Sequence, residues 1–125
     1  MPLKRIRLEL ARGPGFPEGS AAHGYEFVAP LAADGHLDRE AWHGERDRCR
    51  VRRFWRGEGD AHGRLVHRGR RWAFHYDDAP VGGGEDEEPI FRFDRHRFAE
   101  GEYVSITEHD GVQRTFRVAE VRDEE

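Results

Sequence analysis

The chain is poor in the residues that most readily betray a chemistry. It has a single cysteine, Cys49, so it forms no internal disulfide and no cysteine-rich zinc site. It has one lysine, Lys4, and therefore no phosphate-binding Gly-Lys-Ser/Thr loop; the Gly82-Gly83-Gly84 run is followed by Glu85-Asp86-Glu87-Glu88, which would repel phosphate. No apolar run approaches the roughly 20 residues of a membrane-spanning helix. The opening Met1-Pro2-Leu3-Lys4-Arg5-Ile6-Arg7 has no apolar stretch of signal-peptide length. A cytoplasmic location with no membrane attachment is the expectation that remains. No Gly-x-Ser-x-Gly elbow occurs, and no two of the eight histidines have His-x-His spacing. Helical periodicity is almost missing.

What is present is charge and aromatic surface. The 125 residues are 37% charged with a mean hydropathy of −0.94, yet they include 3 Trp, 3 Tyr and 8 Phe. That combination predicts one domain, spanning 1–125, with a small aromatic core under a polar surface. The net charge of −4 hides a segregation: +3 over residues 1–13, −5 over 14–45, +7 over 46–76 and −9 over 77–125. The segment 46–76 is thus where an anionic partner would be attracted locally. Arginine is spread through all four segments, which reads as a compositional bias rather than as a demand for forked donors.

Period-2 alternation dominates, in short segments separated by Gly, Pro and Asp, the pattern of an antiparallel β protein. Ile6, Leu8 and Leu10 alternate with charged residues; Tyr25 and Phe27, Cys49 and Val51, Phe91 and Phe93 do likewise. The adjacent pair Phe54-Trp55 breaks the period and implies a bulge or a stretch covered on both faces. Trp72, Phe74 and Tyr76 form the clearest aromatic stripe. The final hairpin turns at His109-Asp110-Gly111. A three-residue loop with Gly111 left-handed places Val104 opposite Phe116 and Glu102 opposite Val118, whereas a two-residue loop would misalign the apolar residues. One short helix is expected near residues 38–43, capped by Asp38, with Leu37 placed to pack on Trp42 and Gly44 ending it. Loops are expected over 13–24 and 77–89. About six to eight short strands cannot leave their edges bare, so an all-β small antiparallel barrel is predicted, with a two-sheet sandwich as the alternative.

No catalytic residue, cofactor or metal ligand stands out. Cys49 between Arg48 and Arg50 reads as a buried cysteine, and Ser20 and Ser105 have no nucleophile setting. The function expected is a non-catalytic binding or interaction module, for a small anionic ligand or an acidic protein segment. Arg53, Trp55, Arg71 and His75 are its ligand-contacting residues, and the Gly82–Glu88 segment is its gate. One alternative is a barrel binding single-stranded nucleic acid through the arginines of 46–71 and the Trp72 stripe. Another, behind it, is a metal enzyme drawing on His62, His67, His75 and His96. Either a monomer or a dimer built by sheet extension fits.

Four stretches, Phe16-Pro17-Glu18-Gly19-Ser20, His23-Gly24-Tyr25-Glu26, Cys49-Arg50-Val51-Arg52-Arg53-Phe54-Trp55 and Gly101-Glu102-Tyr103-Val104-Ser105-Ile106, resemble small uncharacterised bacterial proteins. The likeness covers most of the chain. It implies a bacterial, cytoplasmic source and carries no activity, ligand or catalytic residue with it.

Overall fold

A computed structural model describes residues 3–69, 71–77, 87–91, 97–108 and 110–124, for 87–91 the backbone alone. Its strands, in chain order, are β1 (Leu3–Leu10), β2 (Ser20–Pro30), β3 (Arg50–Trp55), β4 (Ala61–Arg68), β5 (Arg71–Tyr76), β6 (Glu87–Phe91), β7 (Tyr103–Thr107) and β8 (Gln113–Asp123), with α1 (Arg39–Glu45) and a 3-10 turn (Arg46–Arg48) between β2 and β3. Every strand pairs antiparallel with its chain neighbours, and β8 returns to pair with β1, so the sheet closes on itself. Closure removes the bare edges that an open sheet or a two-sheet sandwich of these strands would expose. Among the described residues, β6 meets β7 at Ile90↔Ile106 and Phe91↔Ser105.

Alternation decides what lies inside. Directly paired residues share a face, and the pairs Ile6↔Phe27, Leu65↔Phe74, His67↔Trp72 and Val104↔Phe116 run round the inner wall. Tyr25, Phe27, Phe74 and Phe116 are sealed from solvent, with Tyr25 stacked on Phe74 at 5.2 Å between centroids and Phe116 edge-on to Tyr25. Among the described residues the interior is thus filled by side chains. The Trp72-Phe74 stripe faces inward, so it offers no stacking surface to nucleic acid bases. Phe54 faces outward without any break in the β2–β3 register, its ring covered by the guanidiniums of Arg7 at 4.4 Å and Arg52 at 5.0 Å. The broken period at Phe54-Trp55 is therefore coverage on both faces.

The hairpin of β7 and β8 has the three-residue register: Val104 faces Phe116, Glu108 N–H donates to Val112 O, and Gly111 has φ 81°. Asp38 caps α1, its carboxylate accepting from Ala41 N–H at 2.9 Å. Gly44 lies inside the helix rather than ending it, because the chain runs straight from Glu45 into the 3-10 turn. The loop expected over 13–24 stops at Gly19. Ser20–Gly24 already belong to β2, where His23 and Gly24 pair with Trp55 and Phe54. Of the loop expected over 77–89, Glu87–Pro89 are strand backbone paired with His75–Ala73, and residues 78–86, with most of the expected gate, lie outside the described residues. So do Phe93 and His96.

The two ends of the barrel differ. At one, Trp42 of α1 closes the interior, donating its indole N–H to Leu65 O at 3.0 Å and lying edge-on to Trp72. The other end, made by the β1–β2, β3–β4 and β7–β8 connections, is polar.

Candidate functional site

The polar mouth is built by inward positions at the starts of β2 and β8 and the ends of β3 and β7. Tyr25 pairs with Arg53, His23 with Trp55, and Ile106 with Arg114, so these side chains form the last inner layers of the wall. Glu108, one alternation beyond Ile106, is sealed from solvent at 0% side-chain exposure. Its carboxylate accepts from Tyr25 OH at 2.5 Å, Arg53 Nε at 3.0 Å and Arg114 Nη1 at 2.8 Å. A buried carboxylate needs such saturation. Burial of Arg53 works to lower its pKa, but Glu108 and Tyr25 more than offset this and the net effect is to raise it, so the guanidinium stays charged.

Two guanidiniums thus meet one buried carboxylate. The other acids that touch them sit on the rim: Glu58 reaches Arg53 at 3.2 Å and is 52% exposed, and Asp110 reaches Arg114 at 3.1 Å and is 43% exposed. Rim acids in water hold their partners weakly. Above the cluster lies Trp55, with Arg53 4.3 Å and Arg114 5.6 Å from its ring centre. His23 packs edge-on to Trp55 at 4.5 Å and to Phe16 at 4.8 Å. The β1–β2 connection is folded back by reciprocal Gly13–Phe16 backbone hydrogen bonds, which bring Phe16 into place. A cleft of about 450 Å³ opens here between that connection and the start of β8, with Phe16, Trp55, Val112, Arg12 and Arg114 on its walls.

His23 Nδ1 lies 2.6 Å from Ser20 Oγ, which also accepts from Ala22 N–H at 3.1 Å. The His23 pKa is lowered, chiefly by burial and then by Arg56 and Arg53, so the ring is neutral. Among the described residues no carboxylate hydrogen-bonds His23, and the hydroxyl is held rather than activated as a triad would activate it. Cys49 is equally unsuited to attack: burial pushes its thiol up to about 12.

Of the four residues singled out in the sequence, the structure unites Arg53 and Trp55 at the mouth and separates Arg71 and His75 from them. Arg71 pairs with Arg68 at the opposite end of the barrel, and His75 stands on the outer face beside Arg64. Sequence reasoning missed Glu108, Tyr25, Arg114, His23 and Phe16. Glu108 was findable: in the three-residue register it is the next inward position after Val104 and Ile106. The histidines of the metal reading diverge as well, since His62 and His67 are five apart on one strand and face opposite ways. Among the described residues no three of His, Cys, Asp and Glu stand together in a way that could hold a metal ion, and no helix is long and apolar enough to cross a membrane. No family model, no curated protein and no solved structure matches this chain.

Proposed function

We propose that the chain is a non-catalytic binding module whose mouth takes a small amphipathic anion, a carboxylate carried on a flat apolar group. The observation that carries this reading is the pairing of a half-open aromatic wall, Trp55 and Phe16, with guanidiniums whose outer partners are solvent-exposed acids. A ligand carboxylate would take the place of Asp110 on Arg114 or bind Arg12, while its apolar part lies against the Trp55 ring. On this reading the ligand binds at the rim, where the cleft beside Trp55 suits a small molecule better than an acidic protein segment.

The test is a titration of the full chain with phenylacetate and with indole-3-acetate, followed by tryptophan emission and by proton NMR. Saturable binding that weakens about tenfold in Trp55→Ala and in Arg12→Gln, and is untouched in Arg71→Gln at the far end, is the expected result. Failure of both probes to bind, or binding indifferent to Trp55 and Arg12, overturns it. Saturation by an acidic peptide with neither aromatic acid competing also overturns it, in favour of a protein partner.

A further inference from the structure

The outer face of β3, β4 and β5 sets arginines of neighbouring strands directly against one another. In the antiparallel register Arg50 stands directly opposite Arg64, and Arg68 directly opposite Arg71. Like charges at such positions repel and destabilise a sheet. Arg50 is compensated by Asp77 at 2.7 Å, but among the described residues neither Arg64 nor Arg71 has an ion-pair partner. The 3-10 turn adds a third side: Arg46, Arg64, Arg68 and His67 line one groove of about 370 Å³, floored by Val66, with Asp47 its single acid.

We infer that this groove is a second anion site, specific for ligands bearing two or more linked phosphates. Arg64 and Arg68 are four residues apart on one strand, about 13 Å along it, a separation suited to a chain of phosphates and not to one carboxylate. Guanidinium forks match phosphate oxygens two at a time. The groove's indole, Trp42, is buried against Trp72 and offers no open ring face. The ligand is therefore gripped by its phosphates and not by stacking of bases, which sets the site apart from a single-strand nucleic acid platform. The groove lies at the opposite end of the barrel from Trp55, and the two sites stand or fall separately.

The experiment titrates the full chain with orthophosphate, pyrophosphate and tripolyphosphate by calorimetry at two salt concentrations, with single-stranded oligothymidylate as competitor. Affinity is expected to rise with phosphate number, to fall steeply with salt, and to drop about tenfold in Arg46→Gln and in Arg64→Gln, while Arg12→Gln at the mouth leaves it unchanged. Arg64→Gln should also raise the melting temperature of the ligand-free protein, because it removes a repulsion; a purely structural arginine would lower it. Orthophosphate binding as tightly as tripolyphosphate overturns the inference, as does indifference to Arg46 and Arg64. Oligothymidylate binding that tripolyphosphate cannot displace also overturns it, and assigns the face to nucleic acid.

Discussion

The hydroxyl of Tyr25 in β2 and the carboxylate of Glu108, just past the end of β7, meet at 2.5 Å in the sealed upper layer of the barrel. Arg53 and Arg114 donate to the same carboxylate. Removing Glu108 strands a buried guanidinium and a phenol together. Glu108→Ala is expected to cost about 3–5 kcal/mol, as for other broken buried pairs, and Tyr25→Phe only about 1–2 kcal/mol. A double change, Arg53→Met with Glu108→Leu, should recover much of the loss, read as urea midpoints at constant m-value.

His23 makes stability depend on pH in one direction. Its folded pKa is lowered, so below about 6.5, the ordinary histidine value, the unfolded chain takes a proton that the folded chain refuses. Stability is then lost as pH falls through that range, by at most about 1.4 kcal/mol per pH unit for this one group. Urea unfolding at pH 8 and pH 5.5 should show a smaller difference in His23→Gln than in the parent chain.

Cys49, with its thiol pushed up to about 12 by burial, should resist alkylation. Iodoacetamide at pH 8 is expected to leave the native chain unmodified over hours and to label it completely in denaturant. Native labelling at the rate of a free thiol would mean that the segment from Glu45 to Cys49 opens readily.

Three glycines separate backbone approach from mere flexibility. A Cβ on Gly24 would sit 1.9 Å from Leu8 O, and one on Gly63 would sit 2.2 Å from His75 O, whereas at Gly44 it would meet nothing within 4 Å. Gly24→Ala and Gly63→Ala should each destabilise by at least about 1–3 kcal/mol, since backbone must shift. Gly44→Ala, inside α1, should stabilise by about 0.5–1 kcal/mol. Thermal melts of the three variants decide.

The barrel was readable because its cause is local. Alternation at Ile6, Leu8 and Leu10, at Tyr25 and Phe27, and at Val104 and Ile106 assigns the inner face strand by strand, and the Asp110-Gly111 turn pins the last register. The helix boundary was less readable, because Gly44 weakens a helix without having to end it. The mouth was only half readable. Trp55 and Arg53 lie in the basic stretch that draws attention, but their partners Glu108 and Arg114 come from the acidic C-terminal half, and nothing in local sequence says that a rim acid and a buried acid differ. Arg71 and His75 looked like neighbours of Trp55 because strand position along the barrel axis is set by pairing, which composition does not disclose.

The seam between β1 and β8 has a consequence for how the protein is made. Lys4 pairs with Asp123, and Glu124 N–H donates to Leu3 O, so β1 finds one of its two neighbours only once β8, more than a hundred residues later, has been synthesised. Until then β1 can form a hairpin with β2 but keeps a bare edge, and joining the ends of so long a loop is the slow, entropically costly step. A nascent chain stalled before residue 113 should therefore be open to strand addition and prone to aggregate, and become protected in one cooperative event once β8 is free.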